Sequence, residues 1–267
     1  PTRHTYSLRN QSKYFWYTGL DNNLHLATAA SKSRPDLIQM NHYTIDAASL
    51  QNEQYPCTFP AHPKLTWPPK QPIDIVRAIG TDYADCVADA CFSRKRCKDL
   101  NCTHSFSTFQ NASQDWEKHF ELRETRDRGI GVIARTSLPK GTVLGFYAGK
   151  LLSSKFSGTN DYLMELGIGD LASYGLLDDE DEERGLKDEM VFIDGFKQGN
   201  WTRFMNHSCN AHAEFVMMRA GETRIMAAVL RKPIEEGEEL TVSYGESYWL
   251  HRMDGMRCRC GMPRCVA

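Results

Sequence analysis

A mostly β fold with short helices, built from small antiparallel sheets, is what this sequence predicts. Two observations carry that expectation. Apolar segments of strand length recur at 130–134, 142–152, 162–166, 190–194, 213–219, 223–230 and 239–244, with turn signals between them. No long helical repeat separates them, which argues against a doubly wound α/β fold. The length of 267 residues, 41% hydrophobic and 25% charged, suffices for a globular core in one or two domains.

Taken in order, residues 1–55 show no firm periodicity, although Tyr14-Phe15-Trp16-Tyr17 must bury something. We expect an irregular, partly ordered extension that packs on the body. Prolines at 56, 60, 63, 68, 69 and 72 forbid a long helix, because each lacks a donor and restricts its predecessor. That stretch reads as an extended connector leading into a cysteine-paced segment, and the two together form a unit over 56–115. From Trp116 to about 250 the strand-sized runs take over, and 251–267 is a separate cysteine-rich tail. Ala220-Gly221-Glu222 joins two runs as a hairpin turn. Leu138-Pro139-Lys140-Gly141 and Pro233-Ile234-Glu235-Glu236-Gly237 look like equivalent turns, each feeding a strand.

The charge balance, 32 Lys and Arg against 34 Asp and Glu, lacks the basic footprint that grips nucleic acid through phosphates. No strong intrinsic DNA binding is expected. No apolar run approaches the roughly 20 residues needed to cross a bilayer as a helix, so no membrane partner is expected either. The chain opens on Pro1 rather than Met, and we expect it to be part of a longer protein.

The nine cysteines are an odd number and are lopsided. Cys57, Cys86, Cys91, Cys97 and Cys102 lie early, Cys209 stands alone, and Cys258, Cys260 and Cys265 crowd the end. Tight local clusters read as metal sites in a reducing compartment rather than as a disulfide framework. The Cys-x-Cys-x4-Cys tail offers three thiolates where structural zinc takes four ligands, and Cys209 is the obvious fourth. Cys86, Cys91, Cys97 and Cys102 suffice for one further tetrahedral site, in which Cys57, His62 or His104 can replace a member.

Two segments carry the remaining chemistry. Arg128-Gly129-Ile130-Gly131-Val132 is a paired-glycine turn before a strand, which lets a ligand lie against the backbone. It lacks the third glycine of a dinucleotide fingerprint. The run from Gly199 to Cys209 packs amide, imidazole, hydroxyl and thiol groups between apolar strands, and such groups need partners. Near the end, Glu239-Leu240-Thr241 leads into Tyr244, Tyr248 and Trp249, an aromatic cluster just ahead of the cysteine tail.

Taken together, residues 116–265 resemble a SET domain with its zinc-binding post-SET tail. The matches come in the family's order: Arg-Gly-x-Gly-Val, Tyr147-Ala148-Gly149, Tyr162-Leu163-Met164, Ile193-Asp194, the block from Gly199-Asn200 through Arg203-Phe204 to Asn206-His207-Ser208-Cys209, Glu-Leu-Thr with Tyr244, and Cys-x-Cys-x4-Cys. The flavour of the end is that of nuclear histone lysine methyltransferases, and the early cysteines sit where those enzymes carry a pre-SET or AWS zinc module. The resemblance implies a SET fold with pseudoknot-like threading near its C-terminus, flanked by zinc-binding segments. It also implies methyl transfer from S-adenosylmethionine to a lysine amine in a histone tail or nucleosome, with chromatin complex subunits as further partners and the nucleus and chromosome as location. A non-histone lysine, or an inactive PR-type adaptor, is the alternative.

The resemblance assigns roles residue by residue. Arg128, Gly129, Ile130, Gly131, Tyr162, Arg203, Phe204, Asn206 and His207 hold the cofactor, Tyr244 and Tyr147 are catalytic, and Phe215, Val242, Tyr248 and Trp249 line the lysine channel. Cys209, Cys258, Cys260 and Cys265 bind structural zinc. Lys150 stands where the family often has a glutamate, and Val242 stands where many relatives carry Phe or Tyr, which leaves room for more than one methyl. The acidic stretch Asp178–Glu183 is expected to attract a basic tail.

Overall fold

The computed structural model of the chain describes residues 13–27, 37–50, 67–78, 85–99, 101–158, 160–169, 190–245, 248–249, 257–263 and 265. Cys57, His62 and the acidic stretch Asp178–Glu183 lie outside them.

In chain order the amino-terminal elements are β1 (Trp16–Thr18), β2 (Leu24–Leu26), β3 (Ile38–Gln39), β4 (Tyr43–Ile45) and helices α1 (Ala47–Leu50), α2 (Ile73–Val76) and α3 (Phe106–Ser113). The body continues with β5 (Phe120–Glu124), β6 (Ile130–Ala134), β7 (Val143–Phe146), β8 (Gly149–Ser153), β9 (Leu163–Gly167), β10 (Met190–Asp194), β11 (Gln198–Gly199) and a 3-10 helix, Trp201–Phe204. It ends with β12 (Asn206–His207), β13 (Ala213–Ala220), β14 (Thr223–Leu230) and β15 (Glu239–Val242). Every apolar run described holds a strand, but the run at 142–152 splits at Tyr147-Ala148 into strands of two different sheets.

Nine strands form the large sheet in the order β2-β1-β5-β6-β15-β13-β14-β7, with β12 pairing beside β15. A second sheet runs β4-β8-β10-β9, and β11 pairs with β3. Most pairings are antiparallel. The parallel pairing of Asn206–His207 with Thr241–Val242 interleaves two segments far apart in sequence, as the expected threading requires. Leu138 and Ile234 exchange backbone hydrogen bonds at 2.9 and 3.0 Å, so the two similar turns are partners of each other.

The β13–β14 hairpin turns at Gly221, where φ is +59°, and a Cβ there would lie 2.1 Å from the His104 carbonyl oxygen. Only glycine serves both the turn and that approach. The hairpin is thereby seated against the cysteine-rich segment. At the start of α3, Ser105 Oγ accepts from Thr108 N at 3.2 Å and caps the helix.

Two buried clusters hold the body together. One gathers Ile75, Phe109, Phe146, Leu151, Ile193 and Ile225, and the other Phe15, Trp116, Phe120, Trp201, Leu240 and Val242. Phe15, 1% exposed, packs edge-on to Phe204 at 5.1 Å, so the early aromatic run does bury a ring. These residues also pack on the body as expected, but the expected irregularity needs correction. The described residues of 13–50 are not irregular: β1 pairs with β5, β3 with β11 and β4 with β8. Asp46, just past β4, pairs with Lys150 at 2.8 Å, which gives the lysine on β8 its own counter-ion.

Candidate active site

A cavity of about 380 Å³ opens where the turn before β6, the 3-10 helix, β12 and the chain after β15 meet. That volume lies in the range of sites for small molecules, about 300–1,000 Å³.

The first wall is the turn at 125–130. Thr125 Oγ1 accepts from Arg128 N at 3.1 Å and donates to Gly129 O at 2.8 Å, closing it tightly. Arg128, Gly129 and Ile130 line the cavity. Arg128 Nη2 donates to Glu239 Oε2 at 2.6 Å, and Asn206 Nδ2 donates to Glu239 Oε1 at 2.9 Å. One carboxylate on β15 therefore fixes a residue on each side of the site. A Cβ at Gly131 would meet Glu239 Oε1 at 2.7 Å, so Gly131 makes room for this junction and does not line the cavity.

The second wall is the 3-10 helix and β12. Arg203 is 7% exposed. Its Nε donates to Gly195 O at 2.8 Å and its guanidinium lies 3.9 Å from the Tyr162 ring centroid. Burial pulls the Arg203 pKa down, opposed by the oxygens of Tyr162, Tyr147 and Asp194. His207 Nδ1 accepts from Tyr244 N at 3.1 Å, which places the proton of the neutral ring on Nε2, 3.4 Å from Cys209 Sγ. Burial first, then the charge of Arg128, lowers the His207 pKa, in keeping with that neutral ring.

The third wall is aromatic. Tyr244 packs edge-to-face on Tyr248 at 4.8 Å, and Trp249 stands edge-on to His207 at 4.9 Å. Tyr244 as a residue is 38% exposed, but its phenol end points inward and donates to Met205 O at 3.0 Å. Burial, then Tyr248, Tyr162, Tyr147 and Asp161, push its pKa far above that of a free tyrosine. The hydroxyl stays neutral. Tyr248 donates to Asp161 Oδ1 at 3.1 Å at the edge of the cavity.

Sequence reasoning named most of this wall. Arg128, Gly129, Ile130, Tyr162, Arg203, Phe204, Asn206, His207, Tyr244, Tyr248 and Trp249 all line it. Tyr147, Phe215 and Val242 do not. Tyr147 is 5% exposed, donates its hydroxyl to Tyr162 O at 2.9 Å and meets Phe215 edge-on at 5.5 Å, so these two support the cavity from behind. Val242, 1% exposed, belongs to the core. Sequence reasoning missed Asp127, Asp161, Arg257, Arg259 and the joining role of Glu239; of these, Glu239 and Arg259 lay inside motifs, Arg259 between two cysteines of the tail.

The cavity suits a cofactor that carries a cation and hydrogen-bond acceptors. Trp249 Nε1 and Arg128 Nε are buried donors without a hydrogen-bond acceptor among the described residues, although Arg128 Nε has an ion-pair contact with Asp127 at 3.7 Å. Space is open where a Cβ on Gly129 would stand. Aromatic faces nearby stabilise a sulfonium as they do other cations.

Beside the cavity, Cys209, Cys258, Cys260 and Cys265 bring four sulfurs within 4.8 Å of one another. Cys209 Sγ lies 3.8 Å from Cys258 Sγ and 3.9 Å from Cys265 Sγ. A tetrahedron with metal–sulfur bonds of about 2.3 Å has edges of about 3.8 Å. Against the upward pull of desolvation, hydrogen bonds from the Cys209 and Met262 backbones and neighbouring thiols bring Cys260 down to about 6. The donor set fits a thiophilic divalent ion such as zinc.

The early cysteines arrange themselves differently from expectation. The ligand atoms of Cys86, Cys102 and His104 converge in a group that does not include those of Cys91 and Cys97, although Cys97 exchanges two backbone hydrogen bonds of 2.9 Å with Cys86. Cys91 packs against the first core cluster with its sulfur 3.9 Å from Phe109 O, and burial pushes its thiol pKa up. Cys97 Sγ is directed at Asp99 O, 4.0 Å away. Arg219 on β13 donates to Cys102 Sγ at 3.3 Å.

Comparison with known proteins agrees with the cavity. The SET domain family model matches residues 129–245. The chain is 28% identical over 185 residues to an H3 lysine-36 specific histone-lysine N-methyltransferase of Cryptococcus neoformans, covering 69% of this chain and 19% of that protein. It is 32% identical to histone-lysine N-methyltransferase EHMT1 of Homo sapiens, over 62% of this chain and 12% of that one. It is 30% identical to histone-lysine N-methyltransferase ash1 of Drosophila melanogaster, over 53% of this chain and 6% of that one. The chain thus spans about a fifth or less of the length of these relatives. The matched segment carries Gly129, Arg203, Asn206, His207 and Tyr244 of the cavity wall, and over residues 129–245 the chain carries a SET domain.

Proposed function

We propose that this chain transfers methyl groups from S-adenosylmethionine to the side-chain amine of a lysine in a histone tail. The observation that carries the reading is the neutral, inward-facing Tyr244 hydroxyl at an aromatic cavity bounded by Arg128, Asn206 and His207. S-adenosylmethionine, when bound, supplies an electrophilic methyl group on a sulfonium. Gly129 and Ile130 offer it backbone, while Arg128 and Trp249 offer the buried donors that lack acceptors among the described residues. The lysine must arrive as a free amine, although its unperturbed pKa is about 10.4. An apolar channel disfavours the charged form, and a neighbouring cation does so too. The residues then contribute alignment above all.

The test is transfer of labelled methyl groups to separate recombinant histones and to nucleosomes, followed by mapping of the modified lysine. A labelled lysine is expected. Cofactor binding without any transfer would favour the adaptor reading. Because Tyr244 is held neutral, kcat should rise with pH along the substrate amine and show no falling limb below about pH 10. A limb that Tyr244→Phe removes would count against that assignment.

We place a structural zinc at Cys209, Cys258, Cys260 and Cys265, and a second metal at Cys86, Cys102 and His104, where the described residues supply three of four positions. His104→Ala is expected to lower bound zinc from about two ions per chain to about one, and Cys91→Ala to leave it unchanged. Metal analysis of the purified variants checks this, and loss of an ion in Cys91→Ala sinks the ligand set. Nuclear location and chromatin partners accord with the histone substrate.

A further inference from the structure

The arm at 37–50 does not line the cavity, yet one of its residues reaches the elements that do. We propose that Asn41 is a positioning residue for the 3-10 helix Trp201–Phe204 and, through it, for cofactor binding. The second half of that statement rests on the methyltransferase reading above.

Asn200 caps this helix and is 3% exposed. A side-chain amide has two N–H donors and two acceptor positions, and here all are used. Nδ2 donates to Phe146 O at 2.7 Å and to Asn41 Oδ1 at 3.1 Å. Oδ1 accepts from Thr202 N at 3.3 Å and from the Thr202 hydroxyl at 2.6 Å. Turning the amide over would set oxygen against the Phe146 carbonyl, so its orientation is fixed.

Asn41 is fixed in the same way from the other side. Its Nδ2 donates to Gln110 O at 2.8 Å and to Ser113 Oγ at 2.6 Å, both on α3. Gln110 Nε2 returns a bond to the Asn41 carbonyl. One residue earlier, Met40 N donates to Gly199 O at 2.7 Å, and Gln198 Nε2 donates to Thr44 Oγ1 at 2.9 Å. The arm therefore grips the strand that leads into the helix, and Asn41 closes the grip at the cap itself.

Beyond the cap lies the cavity wall. Arg203 and Phe204 line it from this helix and Asn206 from the adjoining strand. Without the Asn41 oxygen, one buried Nδ2 proton of Asn200 has no acceptor and the cap loses its orientation. A buried donor left unsatisfied costs more than a hydrogen bond contributes on average. Trp201, Phe204 and Met205 keep the helix seated in the second core cluster, so the loss falls on the cap rather than on the body.

Two variants separate positioning from plain stability. Asn41→Ala removes the acceptor for Asn200, whereas Ser113→Ala removes only an anchor on α3. In Asn41→Ala, hydrogen exchange at the Thr202 and Met205 amides is expected to quicken about tenfold while β14 amides exchange as before. In Ser113→Ala those two amides should stay within about twofold of wild type. Affinity for S-adenosylhomocysteine, the demethylated product, measured by calorimetry, should fall about tenfold in Asn41→Ala alone. Unchanged exchange at Thr202 and Met205, or equal acceleration in Ser113→Ala, overturns the positioning role. Faster exchange with unchanged affinity overturns its link to the cofactor. If the wild type binds no S-adenosylhomocysteine, the methyltransferase reading falls, and the exchange rates still decide on Asn41.

Discussion

Tyr244→Phe is expected to cut methyl transfer by about 10²- to 10³-fold while leaving cofactor affinity within about twofold. The expectation rests on where the hydroxyl proton goes. Tyr244 spends it on the Met205 carbonyl at 3.0 Å, so the phenol oxygen turns its lone pairs toward the cavity. An entering amine then donates an N–H to that oxygen and aims its own lone pair away from it. A tyrosinate would do this differently, by attracting an ammonium, but the raised pKa keeps the group neutral. Phenylalanine removes the acceptor and little else. The edge-to-face contact with Tyr248 uses the ring, and the bond to His207 Nδ1 uses the backbone N–H. The fold should lose about 1 kcal/mol, the net worth of one hydrogen bond. Single-turnover kinetics alongside calorimetry of cofactor binding test the split. Wild-type turnover in the variant would remove Tyr244 from the mechanism.

Tyr244 could be named beforehand because it stands in the Glu-Leu-Thr…Tyr motif that carries the resemblance to SET domains, whereas the strands were read from apolar periodicity. The runs at 130–134, 190–194 and 223–230 became β6, β10 and β14 with those bounds, since apolar periodicity is set by the strand itself. The amino-terminal strands were not legible. β3 has two residues and β4 three, and they hold their places by backbone bonds to β11 and β8, which leave no periodic trace. The same gap hid Asn41, whose meaning depends on Asn200, 159 residues away. Glu239 stood in a readable motif, but its two bonds reach the turn before β6 and β12, so its joining role needed three dimensions. Among the cysteines, spacing separated the two groups correctly. It did not tell Cys91 from His104, because that choice turns on burial against Phe109 rather than on sequence distance.

Removing the carboxy-terminal metal by Cys260→Ser is expected to abolish methyl transfer and weaken cofactor binding at least about 100-fold, while the melting temperature of the body moves little. Arg257, Cys258 and Arg259 form part of the cavity wall, so the cofactor site is unfinished without them. Among the described residues, few backbone hydrogen bonds tie this stretch to the body. Arg259 Nη1 donates to Asp127 O at 3.2 Å, and Cys265 N to Met262 O at 3.1 Å, but neither core cluster includes a residue beyond Val242. A segment so short buries too little apolar surface to order itself. Four thiolates around zinc provide about 10–16 kcal/mol in small zinc-bound folds, ample for this one. The coupling to the active site is direct, since Cys209 ends the block that begins at Asn200 and its sulfur faces His207 Nε2 at 3.4 Å. With four sulfur ligands no coordination position stays open, so the ion's part is to hold the wall rather than to touch the substrate. Calorimetry of cofactor binding and metal analysis, on the wild type and on Cys260→Ser, make the test. Full turnover in Cys260→Ser shown to lack the carboxy-terminal ion would refute it. A drop in melting temperature as large as that of a core substitution would show that the ion supports the whole body rather than this wall.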